Sequence, residues 1–146
     1  MDDWTERKLL TTEPRHIGFR LLCEYTWSAN GSNELKFSAD ELRHFLPRYF
    51  HFIAYGLWPN FGGEPAPTLR QLGHFEYRYT WPTAEVFVIE EFFSALFDRA
   101  LAKPLAWGPN AVGEDISWSE IEDPLCAIAY GGGDINARLK EWGDHT

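Results

Sequence analysis

The chain has 146 residues, a length typical of one domain and short for two well-packed cores. Apolar residues make up 45% of it, and 11 Phe, 7 Trp and 6 Tyr predict a core rich in aromatic rings. The net charge of −9 argues against nucleic acid as a direct ligand, since binding to phosphates requires a basic surface.

The first third of the chain predicts an N-terminal arm and one helix. Residues 1–13 are polar and are expected to form a loose helix or an arm. Residues 15–28 predict a helix, because Ile17, Leu21 and Tyr25 recur at a spacing of four. The Asn- and Gly-rich stretch that follows is typical of a helix end.

A second helix is expected to begin at Ser38. This residue suits the N-cap, and Glu41 lies at the position from which a side chain reaches back to the cap. Pro47 predicts either a kink or a division into two helices, because proline removes a backbone hydrogen bond. Three prolines and two glycines then predict a loop over residues 57–67.

The clearest predicted element is a helix over residues 83–102. A short helix over 69–78 precedes it, and Trp81-Pro82 separates the two. Apolar residues cover most of the circumference of the longer helix, which predicts a central place in the core. Its end is expected at Lys103-Pro104.

The last third predicts two more helices joined by a glycine turn. Residues 117–130 form the first, and its regular part is expected to begin only at Pro124, since proline suits a first turn. The break is expected at 131–133, and Asp134 is placed to cap a final short helix. Strand-type alternation is nearly absent. The sequence therefore predicts an all-α fold: a single compact domain over residues 1–146 with five to seven helices.

Cysteine usage and the N-terminal sequence bear on the compartment. Cys23 and Cys126 lie in apolar surroundings without a CxxC pattern, which predicts two free buried thiols and no disulfide. Met1 is followed by neither a basic segment nor an apolar one of the kind found in secretory signals. No apolar run approaches the length of a membrane span. A cytoplasmic protein without membrane attachment is expected.

Acidic residues are concentrated in the second part of the chain. Residues 1–81 hold 10 acidic and 9 basic side chains, whereas residues 82–146 hold 12 and 4. Between Lys103 and Arg138 there is no lysine or arginine. Such asymmetry predicts a negative field over one part of the molecule, which attracts basic partners. A merely solvated acidic surface is the alternative.

Motifs for catalysis, cofactors or metals are not found. None of the five histidines belongs to an HExxH or zinc pattern, although His44 and His51 are seven residues apart. No GxSxG sequence is present. The glycines at 131–133 are followed by an acidic residue, which would repel a phosphate. We therefore expect no catalytic residue, no cofactor and no metal.

Three blocks of sequence carry a resemblance to known proteins. They are Arg43-His44-Phe45-Leu46-Pro47-Arg48, the Trp81–Glu85 segment with its apolar helix, and the segment from Pro124 to Trp142. Over about residues 35–142 the chain resembles a group of small uncharacterised bacterial helical proteins with an Arg-His-Phe-Leu-Pro-Arg motif. The resemblance implies a bacterial origin and an all-helical fold, and no activity. Within the motif, Arg48 is expected to pair with a carboxylate or to cap carbonyls, and His44 to have a structural role.

The leading functional hypothesis is a non-catalytic binding protein. It would act as a bacterial immunity or antitoxin-like factor whose acidic surface neutralises a basic toxin. The candidate contact residues are Glu114, Asp115, Glu120, Glu122, Asp123 and Asp134, with Trp107 and Trp118 as aromatic anchors.

Two alternatives remain open. The first is a small-molecule-binding or hydrolytic enzyme with an aromatic pocket between helices, using His44, Glu85 or Glu90. The second is a structural subunit of a homo-oligomer. A pocket with converging polar groups would favour the first alternative, and a flat acidic face would favour the leading hypothesis.

Overall fold

The computed structural model describes residues 3–30, 38–61, 68–102 and 119–145. These ranges contain no strand, which confirms the all-α fold class. They contain eight α-helices, which exceeds the predicted five to seven. The helices are α1 (Asp3–Thr11), α2 (Phe19–Asn30), α3 (Ala39–Ala54), α4 (Arg70–His74), α5 (Tyr77–Thr80), α6 (Thr83–Ala102), α7 (Ser119–Tyr130) and α8 (Ile135–His145), and a 3-10 turn spans Pro14–His16.

The additional helices arise at two places. The segment expected to be a loose helix or an arm forms the regular helix α1, because Leu9 anchors it in the core with 1% of its surface exposed. The predicted helix over 69–78 is divided into α4 and α5 by Glu76, whose φ of 49° lies in the left-handed region. The helix expected to start at residue 15 starts at Phe19, since the 3-10 turn precedes it.

Helix α3 begins as predicted and passes through its proline. The backbone N–H of Glu41 donates to Ser38 Oγ at 3.2 Å, which confirms the cap. The helix continues past Pro47 to Ala54 as one element, so the division into two helices is wrong. Its buried face packs enough apolar surface to outweigh the missing hydrogen bond. That face consists of Leu42, Phe45, Leu46, Tyr49 and Ile53.

Helix α6 has the predicted bounds and lies against several other helices. It contacts α5, α7 and α8, and Ile89, Phe93 and Phe97 are almost fully buried. Burial of α6 around most of its circumference was predicted, and this is wrong for the side that carries Phe87 and Val88. Phe87 and Val88 are 63% and 59% exposed, so the outward side of the helix carries large apolar side chains.

The glycine triplet forms the predicted turn between α7 and α8. Gly132 has a φ of 80°, and the N–H of Gly133 donates to the carbonyl of Ile128 at 2.9 Å, which is the Schellman arrangement of a helix end. Asp134 Oδ1 then accepts from the N–H of Ala137 at 3.2 Å, confirming that Asp134 caps α8.

Helix α4 packs directly on this turn. A Cβ atom at Gly73 would lie 2.1 Å from the carbonyl oxygen of Tyr130 and 3.1 Å from the nitrogen of Gly132. The two backbones are therefore in contact without side chains between them, which fixes α4 against the end of α7.

A buried polar pair joins α2 and α3 in the described part of the core. Thr26 Oγ1 donates to the carbonyl of Leu22 at 3.0 Å and lies within hydrogen-bond distance of the Tyr49 hydroxyl. A hydroxyl has one proton to donate, so Tyr49 is the donor of the second bond. Desolvation raises the pKa of Tyr49, and its proton stays in place.

The two cysteines have different environments. Cys23 is buried, as predicted, and burial raises the pKa of its thiol to about 11. Cys126 lies on the exposed side of α7, so the prediction of two buried thiols is wrong for this residue. Each is a free cysteine.

Candidate functional site

Five of the eight predicted contact residues are beyond structural description. Trp107, Glu114, Asp115 and Trp118 lie outside the described residues, and Glu120 falls in α7 with its side chain outside the described part. The remaining three are Glu122, Asp123 and Asp134, all of them half-buried.

The carboxylates of α7 and of the turn have different surroundings. Glu122 and Asp123 are adjacent on α7, and the pKa of Asp123 is raised, chiefly by burial and further by the charge of Glu122. Asp134 already serves as the cap of α8. Of the three predicted contact carboxylates that the structure describes, Glu122 and Asp123 repel each other, and a nearby cation would reduce that repulsion.

Side-chain contacts join α3 and α6 in the same order along both helices, which makes the two helices parallel in sense. Arg43 pairs with Glu85, and seven residues further along each helix the rings of Phe50 and Phe92 stack with centroids 3.9 Å apart. A groove of about 720 Å³ lies between the two helices and the segment before α6. Its walls are formed by Asp40, Arg43, His44, Leu46, Pro47, Phe50, Trp81, Ala84, Glu85, Val88 and Ile89.

One end of the α3–α6 groove is polar and internally paired. The guanidinium of Arg43 donates from Nε to Glu85 Oε2 at 2.7 Å and from Nη2 to Glu85 Oε1, a bidentate geometry. Arg43 Nη1 also donates to Asp40 Oδ1 at 3.1 Å. The hydrogen bond with Glu85 raises the pKa of Arg43, and the guanidinium lies 5.7 Å from the centre of the Trp81 ring.

The rest of the groove is apolar and open to solvent. Leu46 and Ile89 form a buried floor, and Phe50 is half-buried. Val88 and Pro47 are exposed on opposite walls. The groove therefore offers contiguous apolar surface that the described part of the chain leaves uncovered.

The residues of the enzyme alternative are only partly brought together. His44 and Glu85 line the groove, but both oxygens of Glu85 accept hydrogen bonds from Arg43. Glu90 is not part of the groove lining. Its carboxylate accepts a hydrogen bond from the Tyr77 hydroxyl and lies 3.5 Å from Arg78 Nε. Burial and the bond with Glu90 raise the pKa of Tyr77.

Arg48 of the motif and the nearby His51 have structural partners. Arg48 Nε donates to the carbonyl of Ile17 at 2.7 Å, which confirms the expected capping of a carbonyl. His51 lies against Phe52 and Tyr55. In the described ranges, no three side chains among His, Cys, Asp and Glu are grouped to hold a metal ion.

Sequence reasoning missed Arg43, Trp81 and Val88 as groove residues. A signal for one wall was present, since Asp40, Arg43 and Pro47 lie three to four residues apart and so share a helix face. The pairing of that face with α6 depends on the tertiary fold and has no local signature.

Comparisons with known proteins give no relative for this chain. No family model, no curated protein and no solved structure matches it. Among the described residues, no helix combines the length and apolar character needed to cross a membrane.

Proposed function

We propose that the protein is a non-catalytic binding protein that takes up a basic protein partner. In its specific form, the proposal is a bacterial immunity or antitoxin-like factor that neutralises a basic toxin in the cytoplasm. The observation that carries it is the charge asymmetry: residues 82–146 hold 12 acidic and 4 basic side chains, with no lysine or arginine between Lys103 and Arg138.

A field of this kind acts on both steps of association. It accelerates the encounter with a cationic surface, and close charge pairs that become buried slow dissociation. The proposed contacts are the acidic residues Glu114, Asp115, Glu120, Glu122, Asp123 and Asp134 and the aromatic residues Trp107 and Trp118.

The local electrostatics of α7 support this proposal. The pKa of Asp123 is raised because the carboxylate is partly desolvated beside Glu122. A lysine or arginine that approaches this pair would favour the ionised form and lower the pKa again. Binding of a basic partner is therefore expected to release protons at pH values near the raised pKa of Asp123.

The alternatives have weaker support. The groove is the feature that an enzyme would need, yet both carboxylate oxygens of Glu85 accept hydrogen bonds from Arg43, which makes Glu85 a poor candidate for a general base. Self-association into a homo-oligomer would bring together chains that each carry a charge of −9, which opposes it at low ionic strength.

Two charge-reversed variants of equal net charge test the proposal. The triple variant E120K/E122K/D123K and the control D3K/E6K/E76K each have a net charge of −3, since every substitution adds two charges to −9. Asp3, Glu6 and Glu76 are exposed and belong to the first part of the chain. Partners would be captured from lysate of the source organism on the immobilised protein, identified by mass spectrometry and then purified.

Calorimetry with the purified partner decides between the outcomes. The proposal predicts a partner with a basic surface, a loss of affinity of about tenfold or more for the α7 variant, and a smaller loss for the control. Circular dichroism establishes that both variants are folded. Equal affinity of wild type and α7 variant would contradict the proposal.

A further inference from the structure

We propose that the α3–α6 groove receives an amphipathic, basic helix of the partner protein. The inference rests on the proposed function, because the basic character of the helix follows from it. The docking surface consists of the groove and of the outer face of α6, which is formed by the exposed residues Ala84, Phe87, Val88, Glu91 and Ala95.

The apolar surface has the arrangement that a helix requires. Ala84, Val88, Glu91 and Ala95 follow one another at intervals of three and four residues, so they form one stripe along α6. The parallel helix α3 supplies the opposite wall. A third helix laid between two neighbouring helices packs its side chains into the ridges and grooves of both. The alanines permit close approach, and Phe87 and Val88 supply area.

The dimensions match a short helix. The lining of α3 runs from Asp40 to Phe50, ten residues apart, which corresponds to about 15 Å or roughly three turns. Anchors at positions i, i+3, i+7 and i+10 of a bound helix would span this length of about 15 Å. An apolar helix face of about eleven residues is therefore enough to fill the groove.

A helix suits this surface better than an extended peptide. An extended segment gains affinity by pairing its main chain with the edge of a sheet, and the described ranges contain no strand. On the apolar floor of Leu46 and Ile89, its N–H and C=O groups would lose water without finding partners. A helix satisfies its own backbone.

The groove is also too open for a compact small molecule to be its natural occupant. Sites for small molecules bury about 70–90% of the ligand surface. Here Val88 is 59% exposed, and the Asp40 side chain is 88% exposed on the opposite wall. A ligand in this groove would keep one side in water, as an amphipathic helix does.

The charges around the groove select the polar face of the helix. Four carboxylates, those of Asp40, Glu85, Glu91 and Asp98, lie along its walls and the outer face of α6. Two of them bind Arg43, and Arg99, next to Asp98, donates to the carbonyl of Ala54 at the end of α3, so that two negative charges remain in excess. Lysine or arginine flanking the apolar anchors complements this excess of negative charge. A second copy of the chain, with its charge of −9, does not.

The test uses model peptides before the natural partner. The first is an 18-residue acetylated and amidated peptide of Leu and Lys with all leucines on one helical face. The second has the same composition with the leucines distributed around the helix. The protein variants are V88K in the groove and L139K on α8, where Leu139 is an exposed apolar residue outside the groove lining.

The wild-type protein is expected to bind the first peptide. The V88K substitution should raise the dissociation constant about tenfold, whereas L139K should leave it within about twofold of the wild-type value. The second peptide should bind at least about tenfold more weakly than the first. Equal binding of the two peptides, or equal binding by wild type and V88K, would overturn the inference, since charge alone would then explain the affinity.

Other occupants give different results, each of which also overturns the inference. Light scattering that shows a dimer in the wild type and a monomer in V88K would assign the groove to a second copy. Binding of 1-anilinonaphthalene-8-sulfonate that V88K abolishes, with no binding of either peptide, would assign it to a small apolar molecule.

The natural partner separates this inference from the proposed function. If the E120K/E122K/D123K variant loses affinity for the captured partner and V88K does not, the proposed function stands and the groove inference fails. If the triple variant keeps its affinity and V88K loses it, the acidic-surface proposal fails and the groove carries the binding.

Discussion

Replacing Gly73 by alanine tests the contact that fixes α4 on the turn after α7. The new Cβ would lie 2.1 Å from the carbonyl oxygen of Tyr130, whereas real Cβ contacts essentially never fall below 3.0 Å. The two backbones must therefore separate by roughly 1 Å, because neither contacting atom belongs to a flexible side chain. Overpacking of this kind costs about 3 kcal/mol. For a chain of this size that corresponds to a fall in melting temperature of about 9 °C.

Thermal unfolding followed by circular dichroism measures the effect, with Gly143→Ala as the control. Gly143 lies in α8 and a Cβ there meets nothing within 4 Å, so alanine should stabilise the helix by about 0.5–1 kcal/mol. The two glycine-to-alanine changes are thus expected to have opposite signs. A melting temperature of the Gly73→Ala variant within about 2 °C of wild type would refute the backbone contact.

Three further predictions concern the core, the thiols and α7. Thr26→Val leaves the buried Tyr49 hydroxyl without its acceptor and should cost about 1–3 kcal/mol, while adding Tyr49→Phe should recover most of the loss; urea unfolding measures both. A thiol reagent at mildly alkaline pH should label Cys126 in the native protein and Cys23 only after unfolding; rapid labelling of both would contradict the burial of Cys23. Because its raised pKa means that ionised Asp123 disfavours the folded state, Asp123→Asn should raise the melting temperature at neutral pH. This increase in melting temperature should shrink as the pH falls through the pKa of Asp123 in the folded protein, and it should vanish below pH 3.8, the unperturbed pKa of the residue. An increase that does not depend on pH would contradict the raised pKa of Asp123.

Local signals in the sequence were sufficient for the major helices. Ser38 and Asp134 are residue types that cap helices, and both do so. The bounds of α6 followed from Trp81-Pro82 before it and Lys103-Pro104 after it. The division at Glu76 could not be predicted, since glutamate has no preference for the left-handed region that it occupies.

The candidate site was less accessible to sequence reasoning. Acidic enrichment located the proposed contact residues along the chain, but the surface they form depends on the fold. The groove depends on the pairing of Arg43 with Glu85, 42 residues apart. The exposure of Phe87 and Val88 was missed because apolar residues around most of the helix circumference predict burial of most of it, and the described neighbours of α6 cover a smaller part.

The most direct test of the central claim is the ratio of two dissociation constants for the captured basic partner, measured by calorimetry at low and moderate salt. The variants are E120K/E122K/D123K and D3K/E6K/E76K, which share a net charge of −3. We predict that the first binds at least about fivefold more weakly than the second at low salt, and that the ratio decreases as salt screens the acidic surface. Equal dissociation constants for the two variants would show that only the total charge matters, and would contradict a binding surface in the acidic part of the chain.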